Sequence, residues 1–247
     1  MKKGLPLIAA FASAIFAFAH AALPQSTSLD SAAGVTVTGE VILKTAEPQQ
    51  IERDASKVVV WLAPVSAFHA ASARIDQKHY RLVQHNKRFD PGLLVVPVGS
   101  VVDFPNLDPW FHNVFSLYRG KRFDLGLYQA GSMRSVSFDR PGPSYLFCNI
   151  HPEMSGVVLA VDSEFLAVTE KSGRFSMVGV LPGKYVVHVW YENAAVSSLQ
   201  NTQHTVEIGE GNFILPTISL SVTKHQAGEH KNKYGQDYDP DTLKTDY

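Results

Sequence analysis

Cys148, His151 and Met154 fall within one seven-residue run, Cys148-Asn149-Ile150-His151-Pro152-Glu153-Met154, and His112 lies 36 residues upstream of the cysteine. A thiolate and a thioether are soft ligands that suit Cu(I), and imidazole suits either oxidation state. A trigonal His2Cys set with a long axial Met is the blue-copper arrangement. These four residues make a candidate site for one copper ion, in which a short loop supplies three ligands and a separate strand supplies His112. A metal wedged between two strands and a loop has little freedom to rearrange, and that rigidity favours electron transfer. Other chemistries fit the same residues poorly. A c-type haem motif needs a second cysteine, which Asn149 and Ile150 do not provide. A Cys148–His151 nucleophilic pair would sit in poor geometry at a strand end with no orienting partner.

Cys148 is the only cysteine in 247 residues, so no internal disulfide can form. The N-terminus makes that informative. Lys2 and Lys3 precede an apolar run over residues 5–19, and Ala19-His20-Ala21 places small residues at −3 and −1 of a cleavage site. Residues 1–21 read as a secretory signal peptide, and no later apolar stretch is long enough to span a bilayer. The expectation is a periplasmic protein with no membrane span in its mature form. A lone thiol in an oxidising compartment is open to oxidation and unwanted dimers, and metal ligation would withhold it from both. Cleavage removes two lysines and no acid, taking the formal charge from −1 to −3. No basic excess remains to attract nucleic acid or anionic lipid, so nucleic-acid binding is excluded.

The elements that must position these residues read as all-β. The chain is 45% hydrophobic and 18% charged, with short runs rich in Val, Ile, Thr, Tyr and Phe split by Gly, Pro, Asn and Asp. After a small, polar lead-in (residues 22–33), residues 34–43 alternate as a strand pair or one bent strand. Lys57 to Leu62 (KVVVWL) is a strong buried strand, and residues 65–73 form a connection. From Ala73 the runs RLVQHNKRF, LLVVPVGSVVDFPN, HNVFSLY, SMRSVSFD, PSYLFCNI and GVVLAVD follow at the spacing of a Greek-key sandwich. Beyond Asp162, Lys171-Ser172-Gly173 and Leu181-Pro182-Gly183-Lys184 are hairpin signals. The tail over residues 223–247 is polar and aperiodic, and reads as mobile or lying on the surface.

Two of these segments carry a resemblance. VVPVGSVVDFPNLDPWFHNVFSLY, followed by FDRPGPSYLFCNIHPEMSGVVLAVD, resembles the cupredoxins over residues 74–162, with a C-x2-H-x2-M loop closer to that of amicyanin than to the longer loop of plastocyanin. The stretch through VVLAVDSEFLAVTEKSGRFSMVGVLPGKY also resembles bacterial proteins labelled methylamine utilization protein, although Glu153 stands where many of those carry an aromatic residue. The resemblance implies that Asn113 laces the two ligand segments together and that its backbone N–H reaches the Cys148 sulfur. It also implies that Pro152 withholds one N–H from the site. FLAVTEKSGRFSMVGVLPGKYVVHVW resembles a carboxypeptidase-regulatory-like β-sandwich, whose first strands would be Gly39-Glu40-Val41 and Val58 to Leu62. The expected fold is therefore a Greek-key cupredoxin sandwich (74–162) inserted into a second small β-sandwich that is discontinuous, residues 34–66 and 163–222.

The expected function is one-electron transfer by a single type-1 copper held by His112, Cys148, His151 and Met154. His151 would be the exit for the electron, and a redox protein would dock transiently. The alternative is periplasmic copper binding without electron transfer, as in a chaperone, sensor or sequestration protein. Such sites tend to be Met- and His-rich, and this chain has four Met in all. An enzyme is not expected, because an oxidase or nitrite reductase needs further copper ligands, typically His-x-His pairs, and none occurs. His69, His79, His85, His188 and His204 read as structural or solvated, and His225 and His230 as part of a solvated tail. Pro109, Trp110 and Phe111 are candidates for an apolar rim beside His112.

Overall fold

A computed structural model describes residues 34–45, 50–65, 78–117, 120–223 and 231–238. The signal peptide, the lead-in, His69, His225 and His230 lie outside the described residues. The first strands are β1 (Val35–Thr45) and β2 (Val59–Pro64). Ten follow: β3 (His79–Arg81), β4 (Val83–His85), β5 (Arg88–Asp90), β6 (Leu93–Pro97), β7 (Ser100–Pro105), β8 (His112–Ser116), β9 (Phe123–Tyr128), β10 (Met133–Phe138), β11 (Gly142–Phe147) and β12 (Ser155–Val161). The rest are β13 (Leu166–Val168), β14 (Arg174–Val180), β15 (Gly183–Trp190), a short helix α1 (Val196–Thr202), β16 (His204–Ile208), β17 (Phe213–Ile214) and β18 (Ile218–Val222). The all-β class expected from the sequence is the class of the structure.

One sandwich carries the candidate ligands. Its larger sheet runs β6-β12-β11-β8-β9, and the facing sheet runs β10-β7-β3. Most neighbours are antiparallel, but β12 pairs with β6 and β3 with β7 in parallel, which is how separate hairpins are stitched into two sheets. Leu82, Val102, Phe104, Val136 and Phe138 meet Val96, Val114, Leu146, Val158 and Ala160 in a single core, and Cys148 and Met154 belong to that core. β4 and β5 form a hairpin beside it. The sequence reads RLVQHNKRF as one strand, but Asn86 and Lys87 both take φ 54° and turn the chain back. Two successive residues at positive φ make the type I′ turn that matches strand twist. Lysine is a rare occupant of that turn, so the reversal carries no familiar signal.

The other strands make a second sandwich. β1 pairs with β14, β17 and β18, and β2 pairs with β13 and β15, which in turn pairs with β16. The alternating residues of β1 (Val35, Val37, Val41, Leu43) face Val58, Val60 and Leu62, closing a core with Phe175, Tyr185, Val187 and Leu220. The residues of β2 that point the other way do not face water. Val59 and Trp61 pack with Leu159 and Val161, the outward side of β12, and with Leu93, Val95 and Trp190. Both β2 and β12 are thus covered on two faces, which is why each reads as an unbroken apolar run rather than an alternation.

Candidate metal centre

β8 is buried at every residue, held between β11 and β9, and it presents His112 at its first position. β11 ends at Phe147, so Cys148 is the first residue past the strand. The loop that follows is closed by its own backbone: Met154 donates its N–H to the His151 carbonyl (3.1 Å), and the Met154 carbonyl accepts from Cys148 N–H (3.2 Å). This tight return keeps three candidate ligands at one end of the sandwich.

The donor atoms converge. His112 Nδ1 lies 3.1 Å from His151 Nδ1, and Cys148 Sγ lies 4.0 Å from His112 Nδ1 and 3.6 Å from His151 Nδ1. A triangle with these sides has a centre about 2.1 Å from each corner, within the roughly 2.0–2.3 Å of bonds from a first-row metal to nitrogen and sulfur. His112, Cys148 and Met154 have no exposure, and His151 retains 6%. Among the described residues, His112, Cys148 and His151 are the grouping of His, Cys, Asp and Glu able to hold a metal. Met154 adds a buried thioether in the same core as Cys148.

Asp108 sets the geometry of His112, and the sequence reading passed over it. Its Oδ2 lies 2.8 Å from His112 Nε2, while the backbone N–H groups of Asn86 (2.6 Å) and Lys87 (2.9 Å) donate to the same carboxylate. The positive-φ turn between β4 and β5 thus aims two amides at one buried carboxylate. Burial works against the charge of Asp108, but these donors outweigh it and hold its carboxyl below the ordinary range. With the Nε2 proton committed to Asp108, His112 Nδ1 offers a lone pair to the site. Burial keeps both imidazoles neutral: His112 is lowered despite Asp108, and His151 is lowered to about 4 by burial and by His112 beside it. Two neutral imidazole nitrogens 3.1 Å apart repel unless a proton or a cation lies between them, and a thiol stands at the third corner. This donor set fits a soft or borderline transition metal.

Burial pushes the Cys148 thiol up, against the backbone N–H groups of Asn113, Ile150 and His151 that are directed at it. The Asn113 side chain does not join the two ligand segments directly. Asn113 Nδ2 donates instead to Asp124 Oδ1 on β9 (2.7 Å), and its Oδ1 is buried without a partner. The connection is completed by the chain's end. Lys233 Nζ donates to Asp124 Oδ2 (2.8 Å), Lys233 N–H donates to Asn149 Oδ1 (3.0 Å), and Tyr238 Oη donates to the Cys148 carbonyl (2.6 Å). Part of the polar tail therefore lies on the ligand loop. Its composition marks it as polar, but not which surface it meets.

At the same end of the sandwich Leu107, Phe111, Leu127 and Met133 are about half exposed or more, and Lys87 Nζ sits 4.7 Å over the Trp110 ring. Of the other described histidines, His79, His188 and His204 lie apart, and His85 lies beside Asp108. His79 pairs with Asp103 at 2.9 Å, and His188 stacks on Trp61. His204 Nδ1 meets the Thr202 carbonyl at 2.7 Å. His85 Nδ1 is 3.7 Å from Asp108 Oδ1. No helix among the described residues is long and apolar enough to cross a membrane.

No protein-family model matches the chain, and comparison with curated proteins finds no match. Solved structures give partial likenesses. A purple cupredoxin from Nitrosopumilus maritimus is 24% identical over 33% of this chain and 98% of that one, with a TM-score of 0.30. A reduced mutant of amicyanin is 20% identical over 42% of this chain and 99% of that one, with a TM-score of 0.33. A copper-containing nitrite reductase from Thermus scotoductus SA-01 is 23% identical over 35% of this chain, with a TM-score of 0.33, and the alignment spans 23% of that enzyme.

Proposed function

We propose that this chain is an exported, periplasmic one-electron carrier whose single type-1 copper is held by His112, Cys148, His151 and Met154. The observation that carries the reading is the buried triangle of two imidazole nitrogens and one sulfur, at separations that place all three donors about one metal bond length from a common point. When bound, copper supplies a couple that accepts and returns one electron, Cu(II) to Cu(I). The protein's part is to hold the donors still. Asp108 fixes the His112 ring and the Met154 backbone closes the loop, so the donors are placed before any metal arrives. His151 has the slight exposure expected of an exit for the electron. The exposed apolar residues Leu107, Phe111, Leu127 and Met133 suit a redox partner that docks weakly and leaves quickly. We assign the chain no catalytic role.

The visible and EPR spectra of the mature protein loaded with Cu(II) test this reading. An intense thiolate-to-copper band that disappears in Cys148→Ser is expected. Absence of that band, or its survival in the variant, overturns the assignment. Fast electron self-exchange with slow metal loss is expected of a carrier, and the opposite pair of rates would identify a copper-transfer protein.

A further inference from the structure

The two segments that bear the candidate ligands meet where β8 pairs with β11 and at the donor atoms themselves, but the asparagines beside those ligands bind other partners. Asn113, next to His112, donates its side-chain N–H to Asp124, and Asn149, next to Cys148, accepts the Lys233 N–H on its side-chain oxygen. Residues 231–238 link the two. Lys233 reaches both sides at once, with its ammonium on Asp124 and its backbone N–H on Asn149. Five residues on, the Tyr238 hydroxyl binds the carbonyl of Cys148 itself. Between them the segment folds on itself: Asn232 Oδ1 accepts the N–H groups of Tyr234 and Gln236 (2.9 and 3.0 Å), and Asn232 N–H donates to the Gln236 carbonyl (2.9 Å). The Lys233 side chain is 23% exposed, and Tyr238 is half-buried although residues 234–237 before it are exposed. A tail that merely rested on the surface would not direct both of its anchors at residues adjoining, or belonging to, the donor set.

We propose that residues 232–238 are part of the metal centre, a strap whose Lys233 and Tyr238 hold the Cys148–Met154 loop against β8 and β9 and so limit access to, and escape from, the site. Lys233 and Tyr238 are positioning residues, acting through Asp124, Asn149 and the Cys148 carbonyl. The proposal rests on the copper reading only where it concerns release of the metal, because the strap braces the loop whether or not a metal is bound.

The test uses the full-length chain. Cys148 is the only thiol, so its rate of reaction with an aromatic disulfide reagent in the metal-free protein reports loop opening without ambiguity. Removing one bracing hydrogen bond in Tyr238→Phe or Lys233→Met should raise that rate about tenfold, and the double variant should raise it further. Lys233→Arg should restore the slow rate. The thermal midpoint should stay at the wild-type value in all of them, which separates loop release from general unfolding. In copper-loaded protein the same variants should lose metal to a Cu(I) chelator faster, in the same order. Unchanged thiol reactivity in folded Tyr238→Phe and Lys233→Met proteins overturns the strap. So does a rise in reactivity that Lys233→Arg fails to reverse, or one matched by a fall in thermal midpoint. A chain that takes up no copper but shows the expected thiol rates removes the copper reading and leaves the strap standing.

Discussion

Asp108 determines which nitrogen of His112 faces Cys148, and its influence should be measurable apart from that of the donors. Asp108→Asn leaves a side chain of the same size but removes the charge that fixes the His112 proton on Nε2. Copper affinity should fall about 10–100-fold, the range seen when the residue orienting a ligating histidine is lost, as read by competition with a chelator of known affinity. Metal binding should also expel a proton. Burial holds the Cys148 thiol protonated in the metal-free protein and a bound thiolate carries none, so about one proton should appear per copper in weakly buffered solution at neutral pH. The grouping of His112, Cys148 and His151 was legible in the sequence because their types are chemically narrow and two of them share one short loop. The residues that brace them were not. Asp108 meets Asn86 and Lys87 across 22 and 21 residues, and Tyr238 meets Cys148 across 90. Nothing in an Asp, an Asn-Lys pair or a tail tyrosine announces such a partner. The Asn113 side chain also departs from the expectation attached to it, because Asp124 on the neighbouring strand is within reach and the ligand loop is held from the tail.

Among the elements, β2 and β12 show how far an apolar run can be read. KVVVWL is plainly buried, yet its composition does not say that alternate residues serve different cores, Val60 and Leu62 one and Val59 and Trp61 another. Leu62→Ala should cost about 2–5 kcal/mol in denaturant unfolding, the range for emptying a fully buried leucine position. Gly173, read from the sequence as a hairpin residue, has φ 81°, and a Cβ there would lie 2.1 Å from the Val41 carbonyl oxygen. Gly173→Ala should therefore destabilise by more than the usual 1 kcal/mol or so of a glycine replacement, because backbone on both sides would have to move. On β7, Asp103 accepts from Ser135 Oγ (2.6 Å) and pairs with His79. Burial raises its pKa, but these partners prevail and the net shift is downward from 3.8. A carboxyl lowered by folding contributes stability above its unfolded pKa and loses it as pH falls through the folded one. Acidification below about pH 4 should thus lower the wild-type thermal midpoint more steeply than that of Asp103→Asn.

For the whole molecule, the contact among Val59, Leu159, Val161, Trp61 and Trp190 joins the two sandwiches. The wild-type protein should unfold in one calorimetric transition, and Leu159→Ser, which places a hydroxyl in that contact, should split it into two. A single transition in both proteins would show that this contact does not couple them. The pairing of β2 has a further consequence, for the order in which the chain is made. Thr169 Oγ1 donates to the Ala55 carbonyl from 114 residues away, and β2 finds β13 and β15 only after ten other strands have been synthesised. At about 5–20 residues per second, roughly ten seconds pass between the emergence of β2 and that of its partners. Through that interval β1 and β2 have unpaired edges, a ready template for association with another chain. The strands made first are satisfied last, and until β13 to β18 follow them β1 and β2 present open edges on which the chain could misassociate.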